Sequence, residues 1–142
     1  MGNLLDLRGA MKAAMASAMP TRVVTRSYQD FSQRAPADLE AGIVTILGAG
    51  EKDYANYVGR EAQLGTVPMV VVGQLQISEA TLKADGAEAV EDAEDLLVEE
   101  IKAFVANPGD ALLGGIRMLG FRQSGQIEAP YGWVACDIEV LT

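Results

Sequence analysis

Histidine is absent from the sequence, and cysteine occurs once, at Cys136. The commonest general base and metal ligand is therefore missing, and no serine or cysteine nucleophile has an imidazole to activate it. A lone cysteine forms neither an intramolecular disulfide nor a Cys-x-x-Cys site. What remains for acid–base or metal chemistry is carboxylate. Seven carboxylates, Glu88, Glu91, Asp92, Glu94, Asp95, Glu99 and Glu100, fall within residues 88–100. Calcium asks for carboxylates wrapped around a loop with a turn glycine, a pattern this segment lacks. Paired carboxylates also cleave glycosidic bonds, but nothing in the spacing sets two of them across a pocket. Gly48-Ala49-Gly50 lacks the third glycine of a dinucleotide fingerprint, Asp53 standing in its place, and no P-loop run exists. The reading is a protein that is not an enzyme, with no cofactor and no metal.

Residues suited to contact are better represented. With 11 Lys plus Arg against 20 Asp plus Glu, the net charge is −9, which disfavours sequence-independent binding to DNA or to a membrane surface. The crowded acids include the repelling i,i+4 pairs Glu88–Asp92, Glu91–Asp95 and Asp95–Glu99. Three readings compete for them: a solvated acidic face, a face that docks on a basic partner, and, least, a metal site. Glu91, Asp95 and Glu99 are the residues a docking face would present. Tyr54, Tyr57 and Arg60 lie in a long loop from Gly48 to Arg60, and Tyr and Arg are the types that anchor interfaces; the alternative is tyrosines folded back over a sheet. Arg117, Arg122 and Trp133 form a second contact patch on a hairpin.

These residues need positioning elements. The chain is 142 residues with 49% hydrophobic content, enough for one core in one domain, 1–142. Leu4 to Ala18 reads as a helix, with Leu4, Leu7, Met11, Met15 and Ala18 on one face and Pro20 near its end. Asp6, Arg8 and Lys12 break up this segment, so it makes a poor signal peptide, and no unbroken apolar run is long enough to span a membrane. Strands are predicted within Thr21–Ser27, over Ile43–Leu47 and over Gln63–Ile77, with 30–39 and 78–86 read as loop and linker. In the long strand Val67, Met69, Val71, Leu75 and Ile77 share one face, and Val70 and Val72 suggest cover on the other. Pro68 implies an edge position or a kink. A second helix opens after Asp85, in capping-box spacing with Glu88, and runs to about Ala106 with Val90, Ala93, Leu97, Ile101 and Phe104 inward. A closing hairpin, Gly115–Phe121 and Tyr131–Leu141, places Val134, Cys136, Ile138 and Val140 on the core side and leaves the other face mostly wet. The expectation is α+β: a mostly antiparallel sheet of four to five strands packed by two main helices.

This layout resembles tailed-phage tail terminators. The resemblance is carried by the element order and by the hairpin Ile116-Arg117-Met118-Leu119-Gly120-Phe121-Arg122 … Tyr131-Gly132-Trp133-Val134-Ala135-Cys136-Asp137-Ile138-Glu139-Val140. It is to the lambda-like minor tail protein U family and to small tail proteins of Mu-like prophages. It implies an α+β fold and a homo-oligomeric ring, typically a hexamer, on the head-proximal end of the tail tube. There the ring halts tube polymerisation and offers a surface for head attachment. The implied partners are other copies of the chain, the tail tube protein and a head-completion or neck protein, with DNA passing through unbound. The implied location is the virion tail, assembled in the host cytoplasm. By the same resemblance, the Gly48–Arg60 loop contacts tube subunits or neighbouring protomers. A head–tail connector or neck protein is the neighbouring reading; a small cytoplasmic binding module is the reading from a different class, and its sign would be a closed apolar pocket with convergent polar groups.

Overall fold

The computed structural model describes residues 4–52 and 65–141; Tyr54, Tyr57 and Arg60 lie outside them. The architecture is α+β, a five-stranded mixed sheet packed against helices. Its strands are β1 (Val23–Thr25), β2 (Ile43–Gly48), β3 (Val67–Gln76), β4 (Ile116–Gln123) and β5 (Tyr131–Val140). They lie in the order β1-β2-β3-β5-β4. Only β1 and β2 run parallel; every other pairing is antiparallel.

The inner face carries the core. Helix α1 (Leu4–Ala18) buries Leu7, Met11 and Met15, one every fourth residue, and lies over the β1–β2 end. The next step of four reaches Met19, which is buried just past the helix, while Ala18 is exposed. Helix α4 (Glu88–Ala106) lies across β3, β5 and β4 and buries Val90, Leu97, Ile101 and Phe104. These side chains meet Val44, Ile46, Val67, Met69, Val71, Val134, Cys136, Ile138 and Val140 from the sheet in one cluster. Each fully buried Leu, Ile, Met or Phe contributes roughly 1.5–3 kcal/mol relative to exposure.

Four expectations are corrected here. Residues 30–39 are not all loop: a 3-10 turn spans Phe31–Gln33, and helix α2 (Pro36–Ala41) follows. Pro36 occupies the first helical position, where its fixed φ suits the helix and no N–H is needed. Residues 78–86 are not a linker but hold helix α3 (Glu79–Asp85), capped by Ser78 Oγ accepting from the Thr81 N–H. Asp85 therefore ends α3 rather than capping α4; Gly86, at φ 77°, turns the chain, and α4 starts without a side-chain cap. Pro68 lies in β3, between β2 and β5, not at an edge. Its carbonyl accepts from the Ala49 N–H, so its backbone points toward the β2 side just where β2 stops. The proline thus removes a donor at the end of the ladder, where it is least missed.

The outer face is only partly wet. On it stand Ile43 and Thr45 from β2, Val70, Val72 and Gln74 from β3, and Trp133, Ala135, Asp137 and Glu139 from β5, aligned by register. Val70 and Val72 are half-buried, but Thr45, Gln74, Ala135 and Glu139 are buried. Cover comes partly from the segment before α2, where Gln74 Nε2 donates to the Gln29 carbonyl at 3.0 Å and Arg34 donates to the Ser27 carbonyl at 2.9 Å.

Candidate functional site

Helix α4 sorts its acids by the turn of the helix. Glu88, Glu91, Asp92, Asp95 and Glu99 are exposed. Glu100 is not part of that face: it is ion-paired with Arg22, whose Nε donates to it at 3.1 Å, while Arg22 Nη1 donates to the Ala41 carbonyl at 3.0 Å. This fork ties α4 to the start of β1 and to the end of α2. Of the residues offered as a docking face, Glu91 accepts from Gln126 Nε2 at 2.8 Å and Asp95 from Gln123 Nε2 at 2.8 Å. Glu99 pairs with Lys102 at 3.3 Å. The acidic face is thus stitched to the β4–β5 hairpin and continues into it.

Glu94 breaks the expectation of a solvated acid. It is fully buried. Its Oε2 accepts from the Trp133 N–H at 2.9 Å and from Ser124 Oγ, with Gln123 Nε2 3.5 Å from Oε1. The Trp133 carbonyl takes the Ser124 N–H, the last bond of the ladder between β4 and β5. The carboxylate therefore replaces the strand partner that the Trp133 N–H loses as the hairpin turns away. Gly132 makes room for it: a Cβ there would lie 2.6 Å from Glu94 Oε2 and 2.6 Å from Val90 Cγ1. A signal existed in the sequence, because Val90, Glu94, Leu97 and Ile101 step by four, three and four along the buried stripe.

Arg117, Arg122 and Trp133 do share one face, the outer side of the sheet. Arg117 stands opposite Glu139 and Arg122 opposite Ala135, two residues along β5 from Trp133. They differ in freedom. Arg117 is ion-paired with Glu139, which also meets Lys52 Nζ at 3.4 Å. The Arg117 hydrogen bond, followed by the charges of Arg117 and Lys52, holds the Glu139 carboxyl below its ordinary value despite burial. Arg122 is exposed and Trp133 half-buried. Cys136 lies in the core row, fully buried, and desolvation pushes its thiol up to about 11, the mark of an inert structural cysteine.

Strand β4 lies at the end of the sheet, with a register shift between Met118 and Gly120. Beside that edge Leu119 is 57% exposed and Phe121 39%, with Ile127 in the adjoining turn at 85% and Leu96 on α4 at 60%. Lys102 Nζ sits 5.4 Å from the Phe121 ring centre. At the other end, over β1 and β2, α1 exposes Leu5 at 68%. Grooves open to solvent among the described residues include ones of about 230, 320 and 390 Å³. Among the described residues no three His, Cys, Asp or Glu side chains gather as a metal site, and no helix is long and apolar enough to cross a membrane. No known family profile and no curated protein matches the chain.

Proposed function

We propose that this protein is a structural assembly factor that works as a homo-oligomeric ring, and specifically a phage tail terminator that caps the tail tube and receives the head. The observation that carries the reading is the exposure of large apolar side chains at opposite ends of one sheet: Leu119, Phe121 and Ile127 at the β4 edge and Leu5 on α1. Two different surfaces on one subunit, the Leu119–Phe121–Ile127 patch and the α1 face that exposes Leu5, are what a head-to-tail interface needs, and a head-to-tail interface that closes makes a ring. The β4 edge is partly blunted by its register shift and by Arg117 and Arg122, so the contact is offered by the side chains of Leu119, Phe121 and Ile127 rather than by added strand pairing. The sequence resemblance supplies the partner class, and the α+β architecture agrees with it. The acidic α4 face suits the bore, where like charge lets DNA slide without sticking.

The test of the interface is a pair of variants at the β4 edge and its adjoining turn, Leu119→Lys and Ile127→Lys. Both side chains are exposed, so the folded subunit should keep its circular dichroism spectrum and melting point. Assembly on tail tubes should be lost. Variants that still assemble as wild type would remove the β4 edge from the interface. A neck protein remains the alternative within the same machine; it would bind the head connector and leave tube ends uncapped.

A further inference from the structure

A groove of about 320 Å³ lies on the outer face of the sheet, away from α1 and α4. Val72, Gln74 and Trp133 form its floor; Tyr28 and Phe31, from the segment before α2, and Glu128, from the β4–β5 turn, line its sides. Gln74 and Trp133 are register partners on β3 and β5, so amide and indole stand side by side. The Gln74 side chain is 1% exposed. Its Nε2 donates to the Gln29 carbonyl at 3.0 Å, which fixes which end of the amide is the acceptor. That acceptor, Oε1, has no hydrogen-bond partner among the described residues. A buried amide oxygen without a donor is unfavourable, and a native fold that keeps one gives a reason to look for what supplies the donor.

From this we infer that the groove is a binding site for a guanidinium group. Each wall asks for a different property of that group. Gln74 Oε1 needs an N–H donor. The rings of Trp133 and Tyr28 in the lining favour a cation, Trp most strongly; Phe31, also in the lining, packs against Tyr131 with ring centres 5.3 Å apart. Glu128, exposed and without a side-chain partner among the described residues, favours positive charge, as does Asp30 on the same rim. A planar cation with several N–H donors meets all three demands, stacking on the indole while bonding sideways to amide and carboxylate; an ammonium offers no plane to stack. The chain's own Arg34 does not fill the role: its guanidinium donates to the Ser27 carbonyl and, at 3.4 Å each, to Gln29 Oε1 and Thr45 Oγ1, and its buried Nε, like Gln74 Oε1, has no partner among the described residues. The site is independent of the ring: it stands on the isolated subunit and is tested there.

Trp133 is the only tryptophan, so its emission reports the groove directly. The full-length protein is titrated with agmatine and, in parallel, with butylamine at equal ionic strength. A saturable change with agmatine that butylamine does not reproduce is the expected result. Glu128→Gln, an exposed substitution that leaves the fold intact, should weaken it about ten-fold, the factor for losing one charged hydrogen bond. Gln74→Leu should abolish it, with its melting curve run alongside. A short peptide carrying one arginine separates the sources: tighter binding than agmatine assigns the groove to an arginine on a protein partner, and equal or weaker binding assigns it to a free guanidine. No saturable change, an equal response to butylamine, or an unaltered affinity in Glu128→Gln overturns the inference.

Discussion

Replacing Glu94 by alanine should be among the most damaging single changes in this fold, and the structure gives the size. The substitution strands two buried donors, the Trp133 N–H and the Ser124 hydroxyl. An unpaired buried donor costs about 1–3 kcal/mol, so two cost about 2–6 kcal/mol, before any residual cavity is counted. A domain of this size holds about 5–15 kcal/mol in total, so the loss is a large share of it. Glu94→Gln fills the same space, and its amide oxygen at the Oε2 position still accepts from both the Trp133 N–H and the Ser124 hydroxyl, with the amide nitrogen turned toward Gln123; about 1 kcal/mol should go with the charge. Urea unfolding followed by Trp133 fluorescence measures both. A third variant sharpens the logic: Ser124→Ala should destabilise the wild type, yet restore stability in the Glu94→Ala background by deleting an orphaned donor. Equal losses for Gln and Ala at position 94, or an alanine loss under about 1 kcal/mol, would refute the reasoning.

The same geometry predicts that Gly132→Ala, whose Cβ would lie 2.6 Å from Glu94 Oε2, costs about 1–3 kcal/mol by overpacking, read from the same urea curves. Glu139 is held below 4.5 chiefly by its Arg117 hydrogen bond. Its contribution to stability is therefore full above that value and fades as pH falls through the lower folded one; Glu139→Gln should flatten the acid limb of a melting-temperature profile. Cys136, raised from 9.0 to about 11, should resist iodoacetamide at neutral pH in the native state and react once the chain is unfolded in urea. Between those two values the unfolded chain ionises and the folded one does not, so stability should fall there as pH rises, a decline that Cys136→Ala removes. On the proposed tail-terminator reading, reversal of Glu91, Asp95 and Glu99 to Lys should slow genome passage; unchanged infectivity would count against an acidic bore.

Much of the fold was legible because periodicity and burial agree. Leu7, Met11 and Met15 announce α1, Val90, Leu97, Ile101 and Phe104 announce α4, and the alternation from Val134 to Val140 announces β5. The short helices escaped because each makes too few turns for a stripe to register, leaving only Pro36 and Ser78 as start signals. Pro68 pointed to an edge position or a kink, and the edge fails for a positional reason: the proline's backbone cost depends on where β2 ends, which no local pattern encodes. Of the contact residues, Arg117 and Arg122 differ in parity, and only the register shift between Met118 and Gly120, which no local pattern encodes, brings them onto one face with Trp133. Counting charges hid Glu94, Glu100 and Glu139, because acids pooled by composition are separated only when helix angle, strand pairing and partners are known. Gln74 could not be found at all from its own strand, since its significance rests on Gln29 and Trp133, brought together by tertiary structure.

The central claim is that this protein works through contacts made by its surface, closing as a ring on a tube end. Multi-angle light scattering of the purified chain, alone and after mixing with its cognate tail tubes, tests this most directly, with negative-stain images of the same samples. The prediction is a discrete ring mass bound at one end of each tube and no further growth when tube protein is added. A chain that stays monomeric, leaves both ends bare and allows tubes to lengthen would contradict it.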